Sequence, residues 1–110
     1  MTFERIMGIY VSDAEEYQKY REGMMPILHS FGGSFGYDFK IAEVLLSKTE
    51  DQINRVFTIE FPSKDVMDEF FSDPKYLQVQ KKHFINSVSS KTIISMHEKT
   101  HDKTRGNYPC

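Results

Sequence analysis

The sequence predicts an α+β domain with elements in the order β-α-β-β-α-β. Three observations point there. Apolar residues recur at helical spacing between Tyr17 and Phe31. They recur at every second position in Arg55–Phe61, as a strand with one buried face requires. Two further apolar β-branched runs, around Ile6–Ile9 and Ile93–Ile94, stand near the two ends of the chain.

The first strand is read at residues 5–11, Arg-Ile-Met-Gly-Ile-Tyr-Val. Asp13 follows as a helix N-cap, with Glu16 placed to reach back and complete a capping box. The first helix carries Tyr17, Tyr20, Met24, Ile27, Leu28 and Phe31 on one face. Pro26 lacks a backbone N–H and crowds the carbonyl of Glu22, so a kink or a change of helix is expected near residues 22–26. Gly32-Gly33 closes the segment, because glycine adopts the left-handed conformation that ends many helices. In the second strand Phe35, Tyr37, Phe39 and Ile41 alternate with smaller or polar residues. After Ala42 the apolar phase moves to Val44 and Leu46, which predicts a bulge or a break into two strands. Residues 47–54 read as a polar loop.

The third strand, Arg55–Phe61, puts Phe57, Ile59 and Phe61 on one face and Val56, Thr58 and Glu60 on the other. Pro62 ends it, having no N–H to offer a ladder. Ser63 caps a helix bearing Val66, Met67, Phe70 and Phe71. Asp73-Pro74 restarts a helix with a cap and a proline at its first position; Tyr76, Leu77, Phe84 and Val88 form its apolar stripe. A fourth strand is read at Lys91–His97, and a polar tail with Gly106 and Pro109 beyond it. Residues 1–98 thus form one ferredoxin-like domain, a four-stranded antiparallel sheet with helices on one face, and residues 99–110 a tail. The uncovered sheet face, bearing some of Phe57, Ile59 and Ile93 or their neighbours, favours a homodimer paired face to face.

Composition limits the function. The chain has 110 residues, 39% hydrophobic and 27% charged, which suits one globular domain. A net charge of −2 with both signs interspersed lacks the basic footprint of a nucleic-acid binder. No apolar run approaches the ~20 residues of a membrane helix, and the start of the chain has no signal-peptide pattern. The single cysteine, Cys110, permits no internal disulfide. A cytoplasmic setting, with no membrane or nucleic-acid partner, is expected.

The stretches "EEYQKYREGMMPILHSFGG", "RVFTIEFPS" and "FFSDPKY" resemble domain-of-unknown-function family 1330, within the dimeric α+β barrel superfamily. The likeness spans about residues 5–98; its most specific parts are Tyr17-x-x-Tyr20-Arg21, Gly32-Gly33, Glu60-Phe61-Pro62-Ser63 and Ser72-x-Pro74-x-Tyr76. The resemblance implies the fold and the dimer, and no particular reaction. The wider superfamily includes cofactor-free monooxygenases, lactone isomerases and haem-degrading enzymes that use the space between helices and sheet; fold likeness alone does not carry such activities over. Two departures stand out. Ser34 occupies a position where the family often has arginine, and Phe39-Lys40 replaces its usual glycine pair.

The chemical candidates follow from residue type and placement. Glu60, a carboxylate on a central strand, could act as a general base if desolvated; the alternative is a structural pairing with Arg55, Arg21 or a backbone N–H. His83 could shuttle a proton, or be an ordinary half-exposed helix residue. Tyr17, Tyr20 and Arg21 on the first helix, with Ser34 and Tyr37 after it, could line a ligand cleft; tyrosines at this spacing also serve as core residues with a polar tip. His29 falls off the apolar stripe and should be exposed. His97-x-x-x-His101 has an i, i+4 spacing but joins a strand end to a tail, so no metal site is expected. Gly32-Gly33-Ser34 follows a helix rather than preceding one and is no phosphate loop. No cofactor is called for. The expectation is a homodimer holding a small, partly apolar molecule between helices and sheet. A cofactor-independent monooxygenase or isomerase of a small aromatic or lactone-like substrate, and a non-catalytic interaction or stress-related protein with a filled interior, are the alternatives.

Overall fold

The computed structural model describes residues 2–99. Its sheet has four strands, β1 (Thr2–Val11), β2 (Ser34–Lys40), β3 (Arg55–Phe61) and β4 (Val88–Lys99), in the spatial order β2-β3-β1-β4. All neighbours are antiparallel. Helix α1 (Ala14–Ser30) connects β1 to β2. Helices α2 (Lys64–Ser72) and α3 (Pro74–Val79), a π-helical turn (Gln80–Phe84) and a last short turn, α4 (Ile85–Ser87), connect β3 to β4. The α+β class and the β-α-β-β-α-β order are those the sequence predicts. The first and last strands of the chain are longer than predicted: β1 starts at Thr2, and β4 runs from Val88 to Lys99. The expected tail, with His101 and Cys110, lies outside the described residues.

Helix α1 begins as predicted at Asp13, whose carboxylate accepts the Glu16 N–H at 3.1 Å. The reciprocal half of the capping box does not form, because the Glu16 carboxylate turns to His83 at 2.6 Å instead. No change of helix occurs at Pro26; α1 is one element of 17 residues. An internal proline costs about 3 kcal/mol. Tyr17, Tyr20, Met24 and Leu28, each at most 6% exposed, outweigh that, since full burial of such a side chain contributes about 1.5–3 kcal/mol. The helix ends in a Schellman motif: Gly33 N–H reaches the Leu28 carbonyl, Gly32 N–H reaches that of His29, and Gly32 sits at φ +77°. Ser63 and Asp73 cap α2 and α3 as predicted, Asp73 accepting from the N–H groups of Lys75 and Tyr76.

The core lies between the helices and one face of the sheet. Phe3, Met7 and Ile9 of β1 and Phe57, Ile59 and Phe61 of β3 supply that face. Phe70, fully buried, is ringed by Phe31, Phe61, Phe71 and Tyr76 at centroid distances of 4.5–5.8 Å. Leu77, expected in the apolar stripe, is 42% exposed.

Strand β2 departs from its predicted phase. The ladder pairs Phe35 with Ile59 but Asp38 with Phe57, so Gly36 and Tyr37 form a bulge. Phe35 and Asp38 therefore share the helix face, while Tyr37 and Phe39 turn to the opposite face, where their rings stack at 5.7 Å. The predicted irregularity after Ala42 is not a second strand. The chain leaves the sheet at Lys40 and runs as a loop across the outer face, where Ile53 sits over Gly8. Asn54 anchors the loop through paired hydrogen bonds to the backbone N–H and carbonyl of Val11.

Phe57 and Ile59 are consequently not on the uncovered face. That face carries Val56, the Tyr37–Phe39 pair, Ile93 and Ile94, and beside them the loop residues Leu45 and Leu46, 88% and 90% exposed.

Candidate functional site

Between the helices and the sheet lies a cavity of about 340 Å³. Its floor comes from β1 and β3, with Arg5, Met7 and Ile9 alternating along one strand and Phe57 and Ile59 along the other. Tyr17, Tyr20 and Met24 of α1 form one wall; their spacing of three and four places them on one side of the helix. Met67, Phe71, Tyr76 and Phe84, from the second helical region, form the other wall. Lys64, Asp68, Gln80 and Lys91 also line it. The space is mostly apolar with a few convergent polar groups, the usual character of a small-molecule site, at the low end of the common ~300–1,000 Å³ range.

Two buried phenols meet in the wall. The hydroxyls of Tyr20 and Tyr76 are 2.9 Å apart, and the residues are 6% and 3% exposed. Burial pushes Tyr20 well above the ordinary tyrosine value, and burial raises Tyr76 and Tyr17 too. All three are neutral phenols at neutral pH and act as hydrogen-bonding groups, not as bases.

Arg5 was not singled out in the sequence, yet it lines the cavity floor. Its guanidinium lies 4.5 Å from the centroid of the Phe71 ring, and its Nε is buried without a hydrogen-bond acceptor. Burial lowers its pKa, against the opposing influence of Tyr76, Tyr20 and Asp68. The signal was available: Arg5 falls in the two-residue phase of Phe3, Met7 and Ile9, the positions that face the core.

Beside the cavity is an ionic network that the sequence did not disclose. Asp38 accepts from Arg55 at 2.8 and 2.6 Å in a two-pronged pair, and a terminal nitrogen of Arg21 stands 3.3 Å from the same carboxylate. That Arg21 nitrogen is poorly aligned for a hydrogen bond and is held by charge. Arg21 also donates through Nε to the Tyr17 hydroxyl at 2.9 Å and packs on the Phe35 ring at 3.9 Å. Burial by itself would raise the Asp38 carboxyl, but the Arg55 hydrogen bond and both guanidinium charges outweigh it and hold the group below its ordinary value.

The predicted site residues divide among four places. Tyr17 and Tyr20 line the cavity. Arg21, 7% exposed, lies behind Tyr17 and pairs inside the protein. His83 is outside the cavity lining, 2.6 Å from the Glu16 carboxylate. Glu60, Ser34 and Tyr37 are also outside it: Ser34 is exposed, and Tyr37 is on the outer face and 61% exposed. Glu60 does not pair with Arg21 or Arg55. Its position on β3 alternates with Phe57, Ile59 and Phe61, so it faces away from the helices, and Lys99 donates to it at 2.7 Å. Lys99 also lies 3.6 Å from Glu4, the residue opposite Glu60 on β1; His97, bonded to Glu4 at 2.9 Å, completes the cluster. The Glu60 hydrogen bond raises the Lys99 ammonium above its ordinary value. Among the described residues no three His, Cys, Asp or Glu side chains are grouped to hold a metal ion, and no helix is long and apolar enough to cross a membrane.

Solved structures with this architecture include a protein of unknown function from Rhodopseudomonas palustris, 19% identical, covering 92% of this chain and 84% of its own, with a TM-score of 0.75. The cofactor-independent oxygenase SnoaB from Streptomyces nogalater is 13% identical over 93% of this chain and 94% of its own, TM-score 0.55. A dimeric protein of unknown function with a ferredoxin-like fold, from Bacteroides fragilis, is 12% identical over 89% and 96%, TM-score 0.59. At these identities the likeness is one of fold. No curated protein matches the sequence. The model of the family named for its domain of unknown function, DUF1330, matches residues 5–96, and the chain belongs to that family.

Proposed function

We propose that the protein binds a small, partly apolar molecule in the cavity between α1, the α2–α3 segment and the sheet. The observation that carries this reading is the cavity itself: about 340 Å³ of space under aromatic and methionine side chains, with buried hydroxyls and a guanidinium in its lining. An interaction protein with a filled interior would not leave this space. Binding is favoured over turnover because, among the described residues, Asp68 is the one carboxylate in the lining, and it is more than half exposed beside Lys64 rather than desolvated. Glu60 and His83, the two proton-moving candidates singled out in the sequence, lie outside that lining. Oxygenation or isomerisation of the bound molecule remains the second reading, supported by the fold shared with the Streptomyces oxygenase.

The same proposal includes a homodimer joined through the outer sheet face. Tyr37, Phe39, Leu45, Leu46 and Ile94, each more than half exposed, form an apolar surface of the kind monomers avoid, and the Bacteroides relative of this fold is dimeric.

Calorimetry with a neutral aromatic probe, 2-naphthol, tests the cavity. Saturable binding that disappears in Gln80→Trp, with the melting temperature kept, is the expected result, since an indole at that half-buried wall position fills the space. Binding that survives the substitution, or no binding to the native protein, overturns the reading. Light scattering of native protein and of Leu45→Glu/Leu46→Glu tests the dimer: a native dimer that the charged pair converts to monomer is expected.

A further inference from the structure

We infer that the ligand of the cavity is an anion, an aromatic or similarly flat carboxylate whose charged end is received by Arg5. This rests on the cavity being a binding site and specifies what it binds.

The argument starts from charge. Among the described residues three cationic side chains, Arg5, Lys64 and Lys91, line the cavity against one carboxylate, Asp68, which is more than half exposed, pairs with Lys64 at 3.1 Å and acts on Arg5 only from a distance. No carboxylate of a described residue lies within 4.0 Å of the Arg5 guanidinium. The nearby guanidiniums of Arg21 on α1 and Arg55 on β3 share Asp38. Arg5 is thus a half-buried, permanently charged group with an unmet Nε donor. Burying a charge without a partner is costly, and such groups are ordinarily paired.

Phe71 explains where the guanidinium rests but not its hydrogen bonding. The ring covers the guanidinium at 4.5 Å, which attracts the cation but offers no acceptor to Nε–H. A planar carboxylate fits the fork of an arginine better than any neutral group does.

The phenol pair adds a second donor. Tyr20 and Tyr76 carry two O–H groups, but only one can donate along the contact between them. The other proton needs an acceptor, and both residues line the same cavity as Arg5. The described lining therefore offers a guanidinium and a phenol as donors, and neither the Asp68 carboxylate nor the Gln80 amide in that lining is bonded to them. The remaining walls, Met7, Met24, Phe57 and Phe84, call for an apolar body on the same ligand.

Two probes of one shape separate charge from fit. 2-Naphthoate carries the carboxylate; 2-naphthamide is its neutral counterpart. Calorimetry on the native protein should give a Kd at least tenfold lower for naphthoate. In Arg5→Met that preference should vanish while naphthamide binding and the melting temperature hold. Arg5→Lys should keep part of it. Should Arg5→Met not fold, the Arg5 Nε–H resonance of the native protein still decides, moving on addition of naphthoate and not of naphthamide. Equal binding of the two probes, or a naphthoate preference that persists in Arg5→Met, overturns the anion inference and leaves the cavity reading standing. Binding of neither probe overturns both.

Discussion

The paired phenols of Tyr20 and Tyr76 allow a quantitative test of how dry the cavity wall is. Each hydroxyl is 2.9 Å from the other, on residues that are 6% and 3% exposed. Tyr20→Phe removes one oxygen and leaves the Tyr76 hydroxyl without its partner; Tyr76→Phe does the reverse. Stranding a buried hydroxyl costs about 1–3 kcal/mol, whereas removing both polar groups together is close to neutral. The cavity alongside can admit a water to the survivor, so the low end applies: each single substitution should cost about 1 kcal/mol. The double substitution should cost less than the sum of the two, with a coupling of about 0.5 kcal/mol or more. For a domain of this size, 1 kcal/mol lowers the melting temperature by about 4–8 °C. Urea denaturation of the four proteins in one buffer, with equal slopes, provides the cycle. Additive single effects would refute the reasoning, because the two hydroxyls would then be solvated independently and would not form a dry pair.

Three other outcomes follow from the same geometry. Tyr17, Tyr20 and Tyr76 all have folded values raised above about 10, the ordinary tyrosine pKa. Their neutral forms favour the fold fully below that pH and the contribution is lost as pH rises beyond it, so denaturation midpoints should fall in step with phenolate absorbance. Asp38 has the opposite sign: its lowered folded value stabilises the protein above about 3.9, the ordinary aspartate pKa, and that contribution is lost as pH falls through the folded value; Asp38→Asn should flatten this acid limb of a stability–pH curve. Gly36→Ala should cost about 1–3 kcal/mol by overpacking, since the added Cβ would stand 2.5 Å from the Thr58 hydroxyl; a melting temperature equal to the native one would contradict the bulge geometry.

The strand and helix order was readable because each element carries its own periodicity and its own stop. Phe57, Ile59 and Phe61 alternate without interruption up to Pro62, and Asp13, Ser63 and Asp73 all cap the helices they precede. The β2 bulge was not readable, since Phe35, Tyr37 and Phe39 present an unbroken period of two. What breaks the period is tertiary. Thr58 accepts the Tyr37 N–H at 2.8 Å, a contact that a side chain at Gly36 would obstruct. The position of Glu60 was half readable. Its parity set it opposite Phe57 and Ile59, so it could not share their helix-covered face, but Lys99 as its partner depends on a last strand longer than the apolar run around Ile93 and Ile94 implies. Arg5 was missed for a related reason: a charged residue at a strand end is ordinarily solvated, and only the extension of β1 back to Thr2 makes it an interior position.

The bulge links both proposed surfaces. By inserting Gly36 and Tyr37 it turns Asp38 inward and Tyr37 and Phe39 outward in one step. Inward, Asp38 meets Arg21 of α1 and Arg55 of β3, so the two guanidiniums share one carboxylate, and Arg21 fixes Tyr17 at the cavity wall. Outward, the stacked Tyr37 and Phe39 add aromatic area to the face proposed to pair with a second copy. A regular β2 would do neither: Asp38 would lie among Val56 and Thr58 on the outer face, and Tyr37 would compete with Phe35 for space beside α1. Arg5 stands on β1, beyond the intervening β3 and out of reach of this compensation. Asp38 can pair with the guanidiniums at the β2 side of the sheet, and the charge on the cavity floor is left for a ligand to meet.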